Sequence, residues 1–103
     1  MDENIQILGL RDFKDDEQME IEEFSMRYYE KIKRDLPGLL SIHAKKHDKA
    51  GERCKYSFHA KVKTPESLIN VKGDDWDLHK ALHKVLRKVE SQVKHKFKSE
   101  GKK

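Results

Sequence analysis

His79 and His83 lie four positions apart, an interval that on a helix lets two imidazoles reach one metal ion. A zinc site needs a third protein ligand, and the sequence offers none. No Glu follows His79 in the H-E-x-x-H manner, Cys54 has no cysteine partner, and His43 and His47 fall on a strand end and turn, where the interval does not converge. Neither a metal nor any other cofactor is expected. Cys54 is the one candidate nucleophile, yet it alternates in step with Tyr56 and Phe58, which makes it a structural thiol on an apolar face. The carboxylates Asp15, Asp16, Glu17, Glu20, Glu22 and Glu23 crowd the start of a helix, where they serve its dipole without any catalytic role. Neither G-x-x-x-x-G-K nor G-x-G-x-x-G occurs, so no nucleotide loop is present. The chain is not expected to be an enzyme or to bind a small-molecule substrate.

What remains is cationic. The chain carries 23 Lys and Arg against 19 Asp and Glu, a net charge of +4 whose layout says more than its size. Residues 1–37 hold 6 basic and 11 acidic side chains, whereas residues 38–103 hold 17 and 8. From Lys80 onward 9 Lys and Arg face only Glu90 and Glu100, and His79, His83 and His95 lie in or beside the same stretch. Lys55, His59, Lys61 and Lys63 recur at intervals of two, and Lys80, Lys84, Arg87, Lys88, Lys94 and Lys98 mostly at intervals of three or four. Such rows offer phosphate-sized contacts without base-reading geometry, which suits structured RNA read through backbone and shape. The same lysines would also keep a small domain soluble, and charge alone does not choose between these readings.

The elements that must position these rows follow from periodicity. Ile5–Leu10 is a short apolar run closed by Gly9, read as a first strand. Between about Asp16 and Leu36, Ile21, Phe24, Tyr28 and Ile32 mark one stripe of a helix that Pro37-Gly38 stops. Leu40, Ile42 and Ala44 alternate with polar residues over 39–46, His47 to Glu52 forms a turn, and Cys54 to Lys63 alternates without a break. Leu68–Lys72 is a short fourth strand. Gly73-Asp74-Asp75 leads into the last helix, Trp76 to Lys98, with Asp74 or Asp75 as N-cap and Leu78, Leu82, Val85, Val89 and Val93 on its apolar side. The reading is an α+β fold of order β-α-β-β-β-α, a four-stranded sheet whose middle strands form an antiparallel meander, with two helices packed on one face.

A chain of 103 residues with 35% hydrophobic and 41% charged side chains suits one domain with a small core. That domain is expected over 1–98, with 99–103 a disordered basic tail, and the protein is expected to be monomeric. No apolar run approaches the roughly 20 residues of a membrane span, and MDENIQ lacks the order of a secretory signal. With a lone cysteine, these features point to a cytoplasmic protein and no membrane partner.

The last helix, DLHKALHKVLRKVESQVKHKFK at 77–98, resembles the second helix of the ribosome hibernation-promoting factor family, also called ribosome-associated inhibitor A. Asp77, Leu78, Ala81, Lys88, Glu90 and Gln92 match that family's pattern directly, while Leu82, Val85, Val89 and Val93 keep its apolar type. SLINVKGDD, KYSFHAKV and IQILGL are similar to its fourth, third and first strands, so the resemblance covers nearly the whole chain and is weakest in the first helix. The chain departs from the pattern at His79, where the family favours Tyr, at His83 and Arg87, which replace acidic residues, and at Ser91, which replaces Arg.

The resemblance implies the same β-α-β-β-β-α fold and a partner, the small ribosomal subunit with its 16S-type rRNA. It implies that Lys88, Gln92, Lys94 and Lys96 face rRNA, and the charge reading adds Lys80, Lys84, Arg87 and Lys98 on the helix with Lys55, His59, Lys61 and Lys63 on the strand. The implied act is steric: occupying the channel of messenger and transfer RNA inhibits translation and protects an idle ribosome under stress. Ending at Lys103, the chain resembles the family's short form and is not expected to pair ribosomes unaided. Two other readings use the same residues. One is a general double-stranded-RNA-binding module, and the other is a small protein-interaction domain whose acidic first helix meets a basic partner.

Overall fold

A computed structural model describes residues 5–36, 38–48, 54–63 and 68–95. The elements run β1 (Ile5–Leu8), a short 3₁₀ turn (Leu10–Asp12), α1 (Asp15–Ile32), β2 (Leu39–Asp48), β3 (Cys54–Lys63), β4 (Leu68–Asp75) and α2 (Leu78–Val93). The four strands form one sheet in the order β1-β2-β3-β4. β1 lies parallel to β2, joined through α1, and the other pairs are antiparallel. The architecture is the expected α+β one.

Alternation builds the sheet. Leu40, Ile42, Ala44, Phe58, Ala60, Val62, Ile69 and Val71 all turn to one side and are buried, and both helices cover that side in a single hydrophobic cluster. α2 contributes Leu78, Ala81, Leu82, Val85, Leu86, Val89 and Val93, each worth roughly 1.5–3 kcal/mol when a side chain of valine or leucine size is fully withdrawn from water. α1 contributes Ile21, Tyr28, Tyr29 and Ile32 and also buries Ser25, a wider stripe than expected, while Phe24 is only half-buried. Among the described residues no helix covers the other side of the sheet.

Several boundaries differ from the sequence reading. β1 ends at Leu8 because Gly9 adopts a left-handed conformation (φ 85°), and a Cβ there would collide with the Ala44 carbonyl oxygen. α1 ends at Ile32, not Leu36, and the chain tightens into i→i+3 bonds from Asp35 and Leu36 ahead of Pro37. β2 runs on through His47 and Asp48, read as turn, because β3 supplies partners as far as Lys55 and Cys54. β4 likewise extends to Asp75 opposite Tyr56, which moves the helix start. The N-cap is therefore Asp77, whose carboxylate accepts from the Lys80 amide at 2.9 Å, while Asp75 accepts from the Asp77 amide at 3.1 Å. The expected tail at 99–103 lies outside the described residues.

One half-buried knot ties α1 to the sheet. Glu17 accepts from the Lys14 amide (2.9 Å), the Lys46 ammonium (3.0 Å) and the Tyr56 hydroxyl (2.8 Å). Burial pushes the Glu17 carboxyl up, but the three donors outweigh it and hold its pKa below the ordinary value of 4.5. Burial, followed by the bond to Glu17, pushes Tyr56 up to about 12.

Two outcomes follow from these contacts. Gly9→Ala is expected to cost about 1–3 kcal/mol in urea unfolding, from a positive φ combined with a collision. Glu17→Gln should cost about 1.5–3 kcal/mol at pH 7, the scale of hydrogen bonds to a charged group. A depressed folded pKa means that this stability is present above the unfolded value of 4.5 and lost as pH falls through the folded one. The gap between wild type and variant in unfolding midpoint should therefore close in acid.

Candidate nucleic-acid interface

With one side of the sheet buried, period two leaves a polar side facing solvent. Three cross-strand rows occupy it. Gln6, Ser41, Lys61 and Asn70 form the first, Leu8, His43, His59 and Lys72 the second, and Lys45, Ser57 and Asp74 the third. Lys63, opposite Leu39 and Leu68, and Lys55, opposite His47, lie at the two ends. His59 bonds Asn70 across the strands, and His47 meets the Ser57 hydroxyl at 3.0 Å. The expected strand set Lys55, His59, Lys61 and Lys63 thus does share one open face.

α2 reaches the same region from the other side of the sheet. Gly73 lets it come close, since a Cβ there would stand 3.1 Å from Val85 Cγ2. Lys84 then donates to the Asp74 carbonyl (3.0 Å) and the Asp75 carboxylate (3.2 Å), and Lys88 to the Lys72 carbonyl (3.0 Å). Both ammonium groups sit on the outer edge of β4. The Asp77 amide, followed by the Lys84 ammonium, lowers the pKa of Asp75, so it stays an anion beside Lys84.

Two shallow depressions record the result. One is lined by His43, Lys45, Ser57, Phe58, His59 and Lys72, the other by Ser57, Lys72, Gly73, Asp74, Lys84 and Lys88. They share Ser57 and Lys72. A cationic band therefore runs from mid-sheet, past Lys72, and around the β4 edge to Lys84 and Lys88. Asp74, 3.7 Å from Lys55, and Asp75 interrupt it with negative charge.

The remaining expected residues lie further off. Lys80, Arg87 and Gln92 are exposed on α2, Gln92 one helical turn beyond Lys88, and Lys94 is engaged with Glu90 at 3.2 Å. Lys96 and Lys98 lie outside the described residues. Sequence reading missed Lys72, His43 and Lys45, although all three are the outward members of alternating strands and that alternation was the available signal. His79 and His83 do not face a common ligand. His79 pairs with Glu20 of α1 at 3.1 Å and stacks near Phe24, while His83 packs between Phe24 and Tyr28. Among the described residues no group of three His, Cys, Asp or Glu is placed to hold a metal. No described helix is long and apolar enough to cross a membrane.

Among solved structures, the chain is similar to the N-terminal domain of Thermus thermophilus Protein Y, with a TM-score of 0.59 and 22% identity over 92% of this chain and 98% of that one. It is also similar to a ribosomal subunit interface protein from Coxiella burnetii, with a TM-score of 0.64 and 22% identity over 88% of this chain and 93% of that one. No protein-family model and no curated protein sequence matches it. At these identities the likeness establishes the fold.

Lys84 and Lys88 hold the band in place through solvent-exposed bonds, so Lys84→Ala and Lys88→Ala should each change stability by less than about 1 kcal/mol in thermal unfolding. A larger loss would make them supports of the fold and not members of a binding surface.

Proposed function

We propose that this chain is a cytoplasmic, ribosome-associated translation inhibitor that binds small-subunit rRNA and occupies the channel of messenger and transfer RNA. The observation that carries the reading is the junction at Lys72, where basic groups from β2, β3 and β4 meet Lys84 and Lys88 of α2. A rigid, wide cationic face suits folded RNA, whose phosphates are read through backbone and shape. The two similar structures are the N-terminal domain of Protein Y and a ribosomal subunit interface protein, which supports the ribosome as the source of that RNA. Binding displaces other ligands and makes or breaks no bond.

Lys72, Lys84 and Lys88 would meet phosphates directly. Lys45 and Lys61 would extend the contact across the sheet, with His43 and His59 between them. Gln92, one turn beyond Lys88, would extend the contact along α2, and Lys80, Arg87 and Lys94 would engage only if RNA also wraps its outer side.

Sedimentation with purified small subunits tests this reading. The protein should travel with the subunit at low salt, and prebound messenger and transfer RNA should displace it. The log-log salt slope should be about −0.7 to −0.9 per phosphate contact. The triple reversal Lys72→Glu, Lys84→Glu, Lys88→Glu should weaken binding by more than about a hundredfold, since each charge-assisted contact contributes on the order of 1.5–3 kcal/mol. Three results contradict the reading: protein left at the top of the gradient, equal affinity for any RNA duplex, or a triple reversal that binds like wild type.

A further inference from the structure

The sheet's two outer edges are finished differently. At β4, Lys84 and Lys88 bond the Asp74 and Lys72 carbonyls, and the strand itself carries Lys72, Asp74 and Asp75. Charges and covered carbonyls of this kind deter a foreign strand. β1 has none of them. Its sequence, Ile-Gln-Ile-Leu, holds no charge and no proline, β2 is its strand partner, and among the described residues no side chain bonds its backbone.

Beside that open edge, α1 overhangs the sheet and leaves a groove of about 600 Å³ lined by Ile5, Gln6, Ile7, Glu22, Glu23 and Met26. Ile7 and Met26 are half-buried and form its apolar wall. Met19, 61% exposed, stands two helical turns before Met26 on the same side of α1. Glu22 and Glu23 are exposed on the rim, and among the described residues neither has an ion-pair partner.

We infer that this groove docks an extended polypeptide segment as a fifth strand on β1, with apolar side chains against Ile7 and Met26 and a Lys or Arg reaching Glu22 and Glu23. The free edge supplies main-chain bonds and the groove supplies side-chain selection, the division of labour found when a peptide is added to a sheet. Alternate residues of an added strand point to the groove, and among these a long cationic side chain can lay its stem on the apolar wall and its charge on the rim. The acidic rim selects the occupant. A second copy of this chain would bring another uncharged Ile-Gln-Ile-Leu strand with no cation for Glu22 and Glu23.

The test titrates the full chain, followed by amide NMR, with two blocked heptapeptides, Thr-Val-Thr-Lys-Thr-Val-Thr and its counterpart with Glu in place of Lys. The lysine peptide should shift the amides of Ile5–Leu8 and Met26 saturably. The glutamate peptide should bind about threefold weaker or worse, the scale of one partly exposed ion pair. The double variant Glu22→Lys, Glu23→Lys, altered only at exposed positions, should reverse that order while still travelling with small subunits. Shifts that are absent, centred elsewhere or equal for both peptides would overturn the inference, and so would concentration-dependent shifts of the same amides without peptide. Loss of ribosome binding by the wild type instead sinks the functional reading and leaves the groove to be judged by the peptides.

Discussion

The packing of α2 on β3 and β4 is the constraint on which the surface depends. Val85, Val89 and Val93 are fully buried against the sheet, and a helix with one side committed in this way has no freedom to rotate. Its lysine rows are thereby aimed. At Gly73 the helix comes within van der Waals reach of the β4 backbone, close enough for Lys84 and Lys88 to close over the strand edge. Moving the apolar stripe by one residue would turn those ammonium groups by about 100° and split the band.

The same logic explains why acidic and basic sides stay apart. α1 carries the acidic excess and packs on the helix side of the sheet, tied to it by Glu17 with Lys46 and Tyr56 and to α2 by Glu20 with His79. The open side faces away from α1 and keeps its histidines and lysines. A cationic band and an acid-rimmed groove beside an edge strand then sit on one small fold.

Much of this was legible in the sequence because period-two and period-three-to-four patterns report burial directly. The ten-residue alternation from Cys54 to Lys63 named the strand, its limits and its basic face, and the stripe from Leu78 to Val93 named the helix side that packs. Pairing was not legible. β2 and β4 run longer than their own residues suggest because β3 offers partners to their ends, so Asp48, Gly73, Asp74 and Asp75 are strand residues despite turn-forming types. For the same reason Lys72, an outward residue on a short strand, gave no hint that it joins the helix lysines to the sheet. The histidine pair on α2, whose interval would also suit a metal, packs one helix against another.

The central claim is that the junction at Lys72 touches ribosomal RNA. A photo-crosslinking side chain placed at position 72, irradiated in complex with small subunits, tests it most directly. The account predicts a crosslink to small-subunit RNA that disappears at high salt. Crosslinks to ribosomal proteins alone, or none while the protein stays bound, would contradict it.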